Sequence, residues 1–101
     1  METFIVSVDY SNAYSSSRAL RSRNVTTVNV TPETTAGQIK AAVLKFLNLP
    51  YEDLYFLEYK KRQLEDKEMA SSLGLSKGSM LVLGCKNFNE LYTRMRKDGR
   101  L

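Results

Sequence analysis

The chain has no histidine, no tryptophan and a single cysteine. Without histidine, the commonest general base and metal ligand are absent, which excludes Ser-His-Asp and Cys-His nucleophilic arrangements within this chain. Cys85 has no second cysteine to pair with, so no internal disulfide forms, and a reducing, cytoplasmic compartment is expected. The apolar runs, such as Leu54–Leu57, fall far short of the roughly 20 residues of a membrane-spanning helix. The opening Met1-Glu2-Thr3-Phe4 carries no basic or cleavable apolar segment, so no secretory signal is read. Glycine is sparse, and neither Gly74 nor Gly78 has the Lys-Ser/Thr that a phosphate-binding loop requires. The acidic pairs Glu52-Asp53 and Glu65-Asp66 sit at segment ends, with nothing to join them in a pocket. No catalysis, no metal and no cofactor are expected.

What is present fits one domain of 101 residues. Lys and Arg outnumber Asp and Glu by 15 to 11, a net charge of +4. This excess favours an acidic partner: a negative protein face, an anionic membrane surface or, less in keeping with the aromatic pattern, nucleic acid. A basic surface that is merely solvated is the plain alternative.

Phe4–Asp9 alternates as a strand with Phe4, Val6 and Val8 on one face. The polar, Ser- and Arg-rich stretch from Tyr10 to Asn24 reads as a long mobile loop. Val25–Val30 reads as a second strand, and two strands joined without a helix imply an antiparallel hairpin. Thr35 and Gln38 stand at capping-box spacing before a helix that carries Ile39, Val43, Phe46 and Leu47 on one face. Asn48 suits its left-handed end, and Pro50 prevents continuation. Leu54–Tyr59, apolar at nearly every position, reads as a strand inside the sheet. A basic turn, Lys60-Lys61-Arg62, follows. Met69, Leu73 and Leu75 mark a short helical or 3₁₀ turn under the sheet edge, and Ser79–Leu83 a last strand. Residues 87–101 form an amphipathic helix or linker, with Phe88, Leu91, Tyr92 and Met95 on one face and Asn87 as its cap.

The segments Val28-Asn29-Val30-Thr31-Pro32-Glu33-Thr34-Thr35, Ile39-Lys40, Leu49-Pro50-Tyr51-Glu52-Asp53, Gln63-Leu64-Glu65-Asp66 and Leu73–Leu83 resemble, in order and spacing, a ubiquitin-like β-grasp domain. The resemblance implies an α+β fold over residues 1–86, a mixed sheet packed on one main helix, with the C-terminal helix added. It implies a non-enzymatic protein-interaction module of a signalling or adaptor protein. Three branches share the pattern: ubiquitin-like domains, Ras-associating domains and the amino-terminal lobes of FERM proteins. The last strand runs into Leu83-Gly84-Cys85-Lys86 with no terminal Gly-Gly, so covalent conjugation is not expected. Ubiquitin's apolar recognition patch is poorly reproduced, its central position falling on Leu57 or Glu58 according to the anchor chosen.

The Ras-associating branch implies association with a Ras-family GTPase, the second strand pairing edge to edge with the switch strand. Arg18, Arg21, Arg23, Thr27, Asn29, Lys40 and Lys45 are then the contact residues, Lys40 flanking that edge from the helix. A docked ubiquitin-type receptor or intramolecular partner, and a FERM-type membrane or cytoskeletal role, are the alternatives. Lys60, Lys61 and Arg62 are candidate contacts for an anionic surface. Leu44 falls at the helix flank, as an exposed contact or as fringe burial. Cys85 reads as an unreactive strand-end thiol.

Overall fold

The computed structural model describes residues 2–11 and 24–100. Most of the loop expected between Tyr10 and Asn24, with Arg18, Arg21 and Arg23, lies outside the described residues. The chain runs β1 (Phe4–Asp9), β2 (Val25–Val30), α1 (Ala36–Leu47), a 3₁₀ turn (Glu52–Leu54), β3 (Tyr55–Tyr59), β4 (Arg62–Gln63), α2 (Ala70–Leu73), β5 (Met80–Cys85) and α3 (Phe88–Lys97). One mixed sheet has the order β2-β1-β5-β3-β4. β1 pairs antiparallel with β2 and parallel with β5, while β3 lies antiparallel to both β5 and β4. The expected antiparallel hairpin and interior third strand are both present.

The ends of α1 follow from local chemistry. The Thr35 hydroxyl accepts the Gln38 N–H at 3.2 Å, and the Gln38 side chain accepts the Thr35 N–H at 2.9 Å. These reciprocal bonds satisfy donors that the first turn leaves without helical partners. Asn48 closes the helix in the left-handed conformation, at φ 58°. Between the caps, Ala36, Ile39, Lys40, Val43 and Leu44 are buried against the sheet, and Leu47 is partly so.

That arc differs from the expected one. Phe46 is 62% exposed, with its ring edge-on to Tyr10 at 6.1 Å rather than in the core. The helix is rotated toward Lys40 and Leu44, which takes Phe46 past the border of the buried stripe. Leu44 is buried, so of its two readings burial is the one observed.

The core gathers Val6, Val8, Val30, Tyr55, Leu57, Leu81 and Leu83 from one face of the sheet, against α1. α3 closes one end of this core. Leu91 and Met95 are buried in the same cluster, and Phe88 and Tyr92 pack against it. Residues 87–97 are therefore a docked helix and its cap rather than a linker. Polar contacts fix the docking. Tyr51 donates to Asp98 at 2.6 Å, Arg94 reaches Asp53 at 2.9 Å, and Arg100 donates to the Asn48 carbonyl at 2.8 Å. Burial, then the bond to Asp98, pushes the Tyr51 hydroxyl's pKa upward, while the Arg94 guanidinium lowers that of Asp53.

Candidate functional site

Three sheet features face away from the core: the outer side of β2, the open face, and the hairpin between β3 and β4. Their geometry follows from strand alternation.

On β2, Thr26, Val28 and Val30 turn toward α1, while Val25, Thr27 and Asn29 turn outward and are exposed. Backbone direction follows the same parity. Tyr10 N–H donates to Asn24 O at 2.7 Å, in register with the β1–β2 pairs. Ser7 N–H instead donates to Ser79 O, and Ile5 O accepts from Gly78 N–H. Odd residues of β1 thus bond toward β5, and even residues toward β2. In an antiparallel ladder this alternation directs the N–H and C=O of Val25, Thr27 and Asn29 away from β1. Among the described residues, β1 is the only sheet neighbour of β2. The outer side of β2 is therefore a row of backbone donors and acceptors set between β-branched and amide side chains. Thr27 and Asn29 stand where the edge reading needs them. Val25, which the sequence reading omitted, belongs with them; the inward alternation of Thr26, Val28 and Val30 carried that signal.

Lys40 is a correction. It was expected to flank the β2 edge, but it is 5% exposed and its ammonium faces the opposite side of the sheet. It donates to Tyr55 O at 3.3 Å and to both Asp66 carboxylate oxygens, at 3.0 and 3.2 Å. Asp66 O also accepts the Gly37 N–H at 2.9 Å. A buried ammonium needs such partners, so Lys40 fastens α1 to β3 and to the chain after β4. No local pattern announces a partner 26 residues along the chain. Lys45 remains exposed on α1.

At the hairpin, Lys60 (φ 51°) and Lys61 (φ 67°) both occupy the left-handed region. They form the two-residue turn that pairs Tyr59 with Arg62, a turn that favours Asn and Gly. Lys60 sits over the Tyr59 ring at 5.4 Å. Arg62 donates to both Glu68 carboxylate oxygens, at 2.7 and 3.2 Å. Of the three candidate anion contacts, Arg62 is thus bonded within the fold.

The open face carries Ile5, Ser7, Phe56, Glu58, Met80 and Val82 between core positions. Of the two candidates for the centre of a ubiquitin-type patch, Leu57 is buried and Glu58 faces outward, so a carboxylate stands there. Phe56 lies across Gly84, where an added Cβ would approach the ring within 2.6 Å. Burial raises the pKa of the Cys85 thiol, which disfavours the reactive thiolate. Among the described residues, no group of three or more His, Cys, Asp or Glu could hold a metal ion, and no helix is long and apolar enough to cross a membrane.

No family model and no curated protein matches the sequence. Among solved structures, the ubiquitin of Caldiarchaeum subterraneum is similar, with a TM-score of 0.69 and 24% identity over 85% of this chain and 96% of that one. At that identity the likeness carries the fold alone: an α+β, ubiquitin-like β-grasp.

Proposed function

We propose that this ubiquitin-like β-grasp domain is a non-catalytic interaction module that binds by adding an extended segment of its partner to the outer side of β2. One observation carries the reading. β2 is a six-residue edge strand, Val-Thr-Thr-Val-Asn-Val, without a charge or a proline. Sheet proteins ordinarily blunt such edges with charge, proline or shortness, because a bare edge pairs with other chains. An edge unblunted among the described residues, with outward backbone groups at Val25, Thr27 and Asn29, suits strand addition, in which main-chain bonds supply affinity and alternate side chains supply selectivity.

A Ras-family GTPase offering its switch strand is the leading partner, and it implies a cytosolic signalling or adaptor setting. Thr27, Asn29 and the exposed Lys45 support it, as does the net charge of +4 against an acidic surface. A ubiquitin-type receptor is less well served, since Glu58 stands on the open face where an apolar contact is needed.

Titration with GTP-loaded and GDP-loaded Ras-family proteins tests this. Preference for the GTP-loaded form, lost in Thr27→Pro, is the expected result. No binding to either form removes the GTPase. Binding that survives Thr27→Pro removes the edge.

A further inference from the structure

Beside Asn29 of β2, the open face of the sheet holds a cleft of about 310 Å³ lined by Thr3, Phe4, Ile5, Asn29 and Lys77. Its floor is apolar. Ile5 lies opposite Asn29 in the β1–β2 register and is 47% exposed. One wall is basic. Gly78 N–H donates to Ile5 O at 3.0 Å, which holds the turn carrying Lys77 against β1.

Lys77 differs from Lys40, Arg62 and Arg94. Lys40, Arg62 and Arg94 each hold a carboxylate, at 3.0, 2.7 and 2.9 Å. Lys77 is exposed and forms none of the ion pairs found among the described residues. Thr3 and Asn29 add a hydroxyl and an amide, and no acidic residue lines the cleft. An aliphatic surface beside an unpaired ammonium and two neutral polar groups is complementary to an aliphatic side chain next to a carboxylate.

We propose that this cleft is a subsite for an acidic peptide segment, one that seats an aliphatic side chain on Ile5 and sets an Asp or Glu against Lys77. The inference rests on the strand-addition reading, because Asn29 belongs to both the edge and the cleft. The cleft lies inward of the edge, with Ile5 one strand from β2 and the Lys77 turn on the β5 side of β1, so a segment added along Val25, Thr27 and Asn29 reaches it by crossing over β2 at Asn29, with its acidic residue at that end.

The test is selection of a phage-displayed random heptapeptide library on the intact chain, followed by titration of the selected peptides against variants. Selected peptides should carry Leu, Ile or Val next to Asp or Glu. Lys77→Glu should weaken them roughly tenfold or more at low salt, with the loss shrinking at high salt. Lys77→Gln should give a smaller loss, and both variants should unfold at the parent's temperature. Alternate N-methylation of the peptide backbone should abolish binding without altering the protein. Peptides selected without acidic residues, indifferent to Lys77→Glu but lost on N-methylation, overturn the cleft and leave the edge. Peptides weakened by Lys77→Glu but indifferent to N-methylation overturn the edge and leave the cleft. No selection above the uncoated support overturns both.

Discussion

The two edges of this sheet are built in opposite ways. β4 is two residues long, carries Arg62 and follows a turn of two lysines. Arg62 is tied to Glu68, and Glu68 also accepts the Glu65 N–H at 2.7 Å. The chain then wraps back over the start of α1, where Ala36 N–H donates to Glu68 O and Ala70 N–H to Thr34 O. β2 is three times as long, has no ionisable side chain, and has β1 alone as sheet neighbour among the described residues. Shortness and charge close the first edge against foreign strands, and the second lacks both devices. The contrast teaches that edge protection is local: among the described residues, one edge of this sheet is short and charged, and the other has neither device.

Proline substitution at two adjacent β2 positions gives the largest expected effect and sharpens the account of the open edge. Val28→Pro removes an N–H from the β1–β2 ladder and should cost about 3 kcal/mol or more. Thr27→Pro removes only an outward N–H, as edge strands tolerate, and should cost roughly 1 kcal/mol. Urea midpoints compare the two. A larger loss in Thr27→Pro than in Val28→Pro would mean that the alternation along β2 is reversed.

Lys61→Gly probes the closed edge, with a smaller effect of opposite sign. Glycine adopts φ 67° without the Cβ conflict that costs an L-residue about 1–2 kcal/mol, so the variant should gain up to about 1 kcal/mol in thermal unfolding after glycine's extra chain entropy is set against it. No gain would show the turn to be relaxed as it stands.

Acid provides the smallest effect and separates the edges by titration. The bond from Arg62, then the Glu65 N–H, holds the Glu68 carboxyl below its ordinary value of 4.5. A group whose pKa is lowered on folding contributes stability above its unfolded pKa, and this is lost as pH falls through the folded one. Below about pH 4.5, amide protection at Glu65 and at Leu64, whose N–H donates to Leu57 O, should therefore fall while that of Thr26 and Val28 holds, because β2 has nothing to titrate. Glu68→Gln should remove the difference. Protection lost equally at both edges would mean that acid loosens the whole sheet.

Much of this fold was legible in the chain because its signals are local. A capping box spans three residues, a left-handed Asn follows its own helix, and strand alternation repeats every second residue. These fixed α1, β1, β2, the interior β3 and the face of α3 that packs. The ubiquitin-like β-grasp was legible in the order and spacing of those pieces. The candidate site was legible in part: Thr27 and Asn29 are read from alternation alone. The fate of Lys40 and Phe46 was not. Both lie near the border of the helical stripe, where a small rotation of α1 about its axis decides which side chain is buried. That rotation depends on Asp66, Tyr55 and the sheet beneath, all distant in sequence. The sequence by itself thus determined which elements form and which residues of β2 face outward, because those depend on backbone periodicity. Tertiary structure alone decided that Lys40 is a fastening and not a contact, that one edge is closed and the other, among the described residues, bare, and that Ile5 and Lys77 meet at a single cleft.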